Sequence, residues 1–158
     1  RGGVYDIINI GDNMSILFRK MTKKDLPEVI KLCNEVFFEN TSLDYAKKIY
    51  KKYKNDPNQI YIVGIVDGKI VAHLKITIIQ TIYEKMNTYA ILNHVGVKEE
   101  YRRHGIATKM LDEAFKICKE NKCVKVELWS NNVRTAAHAC YYNYGFELDD
   151  AGFFSKEI

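Results

Sequence analysis

Arg102, Gly105 and Ala107 stand at the spacing Arg-x-x-Gly-x-Ala. They join an apolar run, Ile91 to Val97, to a stretch with Ile106, Met110, Leu111, Ala114, Phe115 and Cys118 at helical spacing. A strand that breaks into a small-residue loop and then opens a helix makes an anion site. The first N–H groups of a helix have no partner inside it, and the helix dipole adds about half a positive charge there. Gly105 lets the backbone come close to a ligand, and Ala107 keeps side-chain bulk away from it. Arg102, Arg103 and Lys109 add full charges. The chemistry this arrangement suits is the cradling of a diphosphate. Neither Gly96 nor Gly105 falls in the frame G-x-x-x-x-G-K-[ST], and G-x-G-x-x-G is absent, so the loop is neither a Walker loop nor a dinucleotide fingerprint.

The elements that must hold this loop follow from periodicity and punctuation. Ser15 to Lys20 predicts a first strand. A helix carrying Leu26, Val29, Ile30, Cys33, Val36 and Phe37 on one stripe follows. Its start is a capping box at Thr22 and Asp25 or a later one at Asp25 and Glu28, and Pro27 favours the later. Ser42 caps a second helix, Leu43 to Lys54. Ile60 to Val66 and Lys69 to Ile82 form a hairpin across Asp67-Gly68, a strong two-residue turn. After a turn at Tyr83 to Asn87, the strand Thr88 to Val97 enters the loop. The long helix leads to a strand Val124 to Trp129, a helix Arg134 to Asn143 stopped at Gly145, and a final hairpin of Phe146 to Leu148 with Phe153 to Ile158. The order β-α-α-β-β-β-α-β-α-β-β predicts an α/β fold. Its mixed sheet is mostly antiparallel, with one parallel step across the long helix and helices on both faces.

The Arg102-x-x-Gly105-x-Ala107 run resembles the [QR]-x-x-G-x-[GA] signature of the GNAT superfamily, the acetyl-CoA-dependent N-acyltransferases. A second segment, Arg134-x-x-Ala137-x-x-Cys140-Tyr141-x-x-x-Gly145-Phe146, is similar to that family's N-x-x-A-x-x-[hydrophobic]-Y-x-x-x-G-F. The two lie in the family's order, and the resemblance extends less specifically over Met14 to Ile158. It implies that the Arg103 to Thr108 amides (Arg103, His104, Gly105, Ile106, Ala107, Thr108), with Arg102, hold the diphosphate of acetyl-CoA. It implies that the strand ending at Val97 splays from its neighbour beginning at Val124. Val95 and Val97 then pair with the pantetheine arm, and the Val95 amide donates to the acetyl oxygen. Tyr141 matches the tyrosine beside the thioester sulfur. Arg134 replaces a frequent asparagine and is expected on the cofactor phosphates, with Asn131 and Asn132 as substitutes. By the same resemblance the first two helices line the acceptor cleft, with Phe37, Phe38 and Glu39 near substrate.

The base is where the chain departs from a common family pattern. Many relatives carry a glutamate four residues before the last valine of this strand; here the position is Asn93. Asparagine takes no proton, though it can hold a water or the acceptor. Histidine is a residue type that exchanges a proton near neutral pH, but strand alternation sends His94 to the opposite face unless a bulge rotates it back. The implied function is transfer of an acetyl group from acetyl-CoA to a primary amine, in a ternary complex, by direct attack. The missing strand carboxylate keeps a second reading open, a non-catalytic CoA-binding regulatory module. The acceptor is a small-molecule or peptide amine. Small amines, aminoglycosides, amino acids and protein N-termini are all compatible, and a homodimer is admitted.

Composition bounds the rest. The chain has 158 residues, of which 47% are hydrophobic, enough for one domain with a substantial core. The expected division is an N-terminal extension or tag remnant over 1–13, ahead of a start at Met14, and one domain over 14–158. No apolar run reaches membrane-span length and no signal peptide is apparent, so a cytoplasmic protein is expected. A net charge of +4 is mild, and no alternation of arginine with stacking aromatics argues for nucleic acid. Cys33, Cys118, Cys123 and Cys140 form no C-x-x-C pair and read as free thiols. They and the four histidines show no metal-ligand spacing, so no metal is expected.

Overall fold

The computed structural model describes residues 7–11 and 13–158. Among these, the strands β1 (Ile7–Gly11), β2 (Met14–Lys20), β3 (Gln59–Val66), β4 (Lys69–Gln80), β5 (Thr88–Val97) and β6 (Lys125–Leu128) form a sheet in sequence order. Neighbours from β1 to β5 are antiparallel, and β5 with β6 is parallel. The helices are α1 (Leu26–Phe37), α2 (Leu43–Tyr53), α3 (Ile106–Glu120) and α4 (Thr135–Tyr144). The predicted mixed sheet with a single parallel step and helices on both faces is present.

Two cores sandwich the sheet. Ile106, Met110, Leu111, Ala114, Ile117 and Cys118 of α3 bury against Phe18, Ile62, Leu74, Ile76 and Leu92, and α4 leans on the same core with half-buried Tyr141 and Tyr144. On the other face, Leu26, Val29, Leu32 and Cys33 of α1 bury against Val63 and Ile70. Helix α2 buries no residue fully and rests Leu43, Ala46 and Tyr50 on that second core. The predicted α3 stripe is correct except that Phe115 is only half-buried and Ile117 joins it.

Local chemistry explains the junctions. Asp67 and Gly68 take positive φ (48° and 75°), as a tight hairpin turn of right-handed strands demands. Both alternatives for the start of α1 contain part of the answer. The capping box at Thr22 and Asp25 is formed, but on a short 3-10 turn, Lys23–Asp25, and the α-helix begins after it with Pro27 in its first turn. The Asp25 carboxylate accepts from the Thr22 amide (2.6 Å) and from both Arg19 guanidinium nitrogens (2.6 and 2.9 Å). That grip, with Arg19 as the main cause, holds its pKa at about 2.

Two segments differ from expectation. Ile7–Gly11, placed by the sequence reading in an extension ahead of the domain, pairs with β2 from Ile7↔Leu17 to Gly11↔Met14; residues 1–6 and 12 lie outside the described residues. The final hairpin is not formed, and no strand occurs after Leu128 among the described residues. Its first apolar residue is consumed elsewhere. The Phe146 amide donates to Tyr141 O at 3.0 Å, capping α4, and its ring packs on Phe115 and Tyr141. Beyond it, Asp149 accepts from the Ala151 amide at 3.0 Å, and its Oδ2 lies 3.7 Å from Lys125 Nζ on β6.

Candidate active site

The parallel ladder of β5 and β6 runs from Tyr89↔Lys125 to Leu92↔Leu128 and stops there. Strand β6 ends, but β5 continues to Val97, held on its other edge by β4 as far as Ala72↔Val97. Asn93 to Val97 therefore carry an edge that β6 does not pair. Val95 and Val97, the residues expected to use main-chain groups, lie on this stretch. Both side chains turn to the α3 core, so what they leave for a ligand is backbone.

A bulge interrupts the stretch. Asn93 pairs with Lys75 and Gly96 with His73, so His94 and Val95 together oppose Leu74 alone. His94 takes φ 51°, the left-handed region, which costs a non-glycine residue about 1–2 kcal/mol. The alternation that would separate His94 from Asn93 is thereby broken. Asn93 shares a row with Lys75 and Tyr61 on the α1 face. The His94 imidazole sits edge-on to Phe37 of α1 at 5.0 Å between centroids.

That rotation brings His94 to a carboxylate. Its Nε2 lies 2.8 Å from Glu39 Oε1, with about two-fifths of each side chain exposed (41% and 36%). Glu39 is aimed there by Phe38, which ends α1 at φ 57° where glycine is usual. Two strained non-glycine residues thus bracket one contact. His73, buried behind, uses Nδ1–H to donate to Ile62 O at 2.9 Å; burial is the main reason its pKa falls to about 4. It is a neutral core histidine. Lys75, across from Asn93, lies over the Tyr61 ring at 5.7 Å, and burial lowers its pKa.

The loop before α3 has two left-handed residues, Arg103 (φ 66°) and Gly105 (φ 71°). The first bond of the helix is Lys109 N–H to Gly105 O at 3.1 Å, so the amides of Ile106, Ala107 and Thr108 precede the ladder. A Cβ at Gly105 would meet nothing within 4 Å, so the space above it is open. The side chains divide. Arg103 and Thr108 are exposed and His104 is half-buried. Ile106 is buried, and Ala107 packs on the α3 core. Arg102 donates from Nε to Val97 O at 3.1 Å, bracing the end of β5. The donor set, three amides and exposed cations over open space, fits a diphosphate.

Tyr141 is half-buried on α4 beside Phe146, and burial pushes its phenol upward, so it keeps its proton. Tyr142 is exposed, and Tyr144 donates to Asp112 Oδ1 at 2.9 Å, tying α4 to α3. Arg134, at the head of α4, lies over the Phe37 ring at 4.7 Å. His138 is one helical turn from Tyr141, and its buried Nε2 has no partner among the described residues. Burial pushes the Cys33 and Cys118 thiols up to about 12, so neither is a ready nucleophile. No cluster of three or more metal-ligating side chains occurs among the described residues, and no described helix is long and apolar enough to cross a membrane.

The Glu39–His94 contact is the part sequence reasoning did not assemble. The possible bulge was visible, but the partner depends on Phe38 adopting a glycine-like conformation.

Residues 26–146 match the Acetyltransferase (GNAT) family. Among solved structures, the chain is similar in fold to a transcriptional regulator from Bacillus halodurans, with 21% identity, 90% of this chain and 99% of that chain covered, and a TM-score of 0.81. It is similar to an aminoglycoside N-acetyltransferase in complex with CoA, with 14% identity, coverages of 92% and 96%, and a TM-score of 0.80. It is also similar to glucosamine-6-phosphate N-acetyltransferase from Arabidopsis thaliana, with 17% identity, coverages of 89% and 97%, and a TM-score of 0.74.

Proposed function

The chain belongs to the GNAT acetyltransferase family, and on that premise we propose that it transfers the acetyl group of acetyl-CoA to a primary amine by direct attack in a ternary complex. The observation that carries this reading is the parting of β5 from β6 after Leu92 and Leu128. It leaves Val95 and Val97 with backbone to offer, on the strand that runs into the amide cradle before α3. The similar aminoglycoside N-acetyltransferase is in complex with CoA, which supports the same ligand here.

In this reading the Ile106, Ala107 and Thr108 amides, with Arg103, His104 and Gly105 of the loop, hold the diphosphate, and Arg102 steadies the strand end. The Val95 amide donates to the carbonyl oxygen as charge develops on it, a contribution that needs the donor fixed beforehand. Tyr141 gives a hydrogen bond to the departing sulfur. Proton transfer from a phenol to such a thiolate is uphill by about 2 kcal/mol, so it completes late. Asn93, on the α1 face, holds the acceptor or a water.

Titration calorimetry with acetyl-CoA, followed by thiol release across alkylamines, aminoglycosides, amino acids and peptides with free N-termini, tests the reading. Binding plus release with one class is the expected result. Binding without release from any amine would instead favour the CoA-binding regulatory module. Absence of binding would remove both.

A further inference from the structure

We propose that His94, held by Glu39, is the group that takes the proton from the acceptor amine, and that the acceptor is therefore an alkylamine that arrives as an ammonium ion. This rests on the acetyl-transfer reading above and adds the step it lacks. An alkylammonium has no lone pair to attack with, and Asn93 offers no basic atom.

The geometry selects His94. A carboxylate only accepts hydrogen bonds, so the Nε2 that lies 2.8 Å from Glu39 Oε1 carries the hydrogen. In the neutral ring the lone pair is then on Nδ1, which has no hydrogen-bond partner among the described residues. The imidazole is partly exposed, beside Val95 on the bulge that β6 leaves unpaired. It is steadied edge-on by Phe37. His73 is buried and its Nδ1 faces Ile62 O, so it cannot serve. His94 and Phe38, the residue before Glu39, both take positive φ, as do Asn13, Asp67, Arg103 and Lys122 among the described residues. The positive φ at His94 goes with the bulge that turns its imidazole to Glu39, and strain held at an exposed polar contact supports a functional role.

The surrounding charges have the right sense. Arg134 over Phe37 and Lys75 opposite Asn93 are cations near the acceptor face, and they disfavour an ammonium that keeps its proton. Glu39 offsets them at the imidazole, which becomes a cation when it takes that proton. The balance is complete. One proton passes from the ammonium nitrogen to His94 Nδ1, and the freed lone pair forms the N–C bond as the C–S bond breaks. The second amine proton leaves the nitrogen, the sulfur gains one through Tyr141, and one proton is released to solvent per turnover. His94 is a catalytic residue in this scheme and Glu39 a positioning residue.

The test uses wild type, His94→Asn and Glu39→Gln. Asparagine tolerates the left-handed backbone of position 94, which protects the fold. Thiol release is compared for 2-phenylethylamine and its β,β-difluoro analogue, whose nitrogen is largely neutral at the assay pH. For the parent amine, kcat/KM of His94→Asn is expected to fall about 10²–10⁴-fold. For the difluoro amine the loss is expected to be less than about tenfold, since a neutral nucleophile needs no base. Acetyl-CoA affinity stays unchanged. Nitrogen NMR of the labelled imidazoles, read without turnover, is expected to show His94 as the Nε2–H tautomer in wild type and mixed tautomers in Glu39→Gln. Equal losses on both amines, or an Nδ1–H tautomer in wild type, would overturn the proposal while leaving acetyl transfer intact. Failure of wild type to bind acetyl-CoA would instead fall on the acetyl-transfer reading.

Discussion

The guanidinium carbon of Arg134 lies 4.7 Å from the ring centroid of Phe37. This contact ties the head of α4 to the tail of α1 beside the C-terminal end of β5. Phe37 also carries His94 on its edge, so one phenyl ring serves both an arginine and the imidazole of the acceptor side. The sequence expectation placed Arg134 on the cofactor phosphates. A cation already stacked on an aromatic face has another use. Arg134→Gln is expected to cost about 1 kcal/mol of stability and to raise the acceptor KM, with the acetyl-CoA Kd moving less than about threefold. Calorimetry at two salt concentrations checks this. A tenfold, salt-dependent loss of acetyl-CoA affinity would return Arg134 to the phosphates.

Tyr141 differs from its neighbours by environment. It is half-buried, its phenol is pushed upward by burial, and Tyr144 is already engaged with Asp112. Tyr141→Phe is expected to slow turnover by about 10²–10⁴-fold with acetyl-CoA affinity preserved, as read by single-turnover rates and calorimetry. An unchanged rate would remove Tyr141 from the mechanism.

His73 gives the fold an acid limit. Its neutral ring is buried with a pKa of about 4, against 6.5 when free. As pH falls below 6.5, the unfolded chain binds a proton that the folded chain refuses until about pH 4. Stability is therefore full above this window and falls through it, by about 3 kcal/mol in all. Asp25 acts lower still. Its contribution is present above 3.8 and is lost as pH falls toward 2. Urea midpoints measured from pH 7 to 4 are expected to decline in wild type. In His73→Asn they should start lower, because the bond to Ile62 O is weakened, and stay flat. A wild-type curve without slope would contradict the buried neutral assignment.

What could be read from residues alone was local or periodic. Asp67-Gly68 names its own turn, the apolar stripe of α3 sets its buried face, and Arg102-x-x-Gly105-x-Ala107 marks the cradle. What could not be read depends on pairing partners. The bulge at His94 exists because β4 and β5 spend different numbers of residues between Lys75↔Asn93 and His73↔Gly96, a mismatch no single strand records. Glu39 reaches His94 only because a phenylalanine adopts a glycine-like φ. A final hairpin does not form because the Phe146 amide caps α4 while its ring packs on Tyr141, and Asp149 bonds locally to the Ala151 amide. Ile7–Gly11 precedes Met14, and only its register with β2, a pairing partner, makes it a sheet strand.

Gly96 offers the sharpest test of how α1 and β5 share the site. A Cβ there would lie 3.0 Å from Phe37 Cζ and 3.3 Å from Val36 Cγ1. These atoms belong to a helix end packed in the second core, so relief requires α1 to shift or Phe37 to turn. Gly96→Ala is expected to destabilise by about 1–3 kcal/mol. Because Phe37 carries both His94 and Arg134, the same methyl should also loosen the acceptor side while leaving the cradle before α3 untouched. The expected kinetic signature is a higher acceptor KM and lower kcat with an unchanged acetyl-CoA Kd. A variant that loses stability but keeps both kinetic constants would show that the phenyl ring packs without positioning His94.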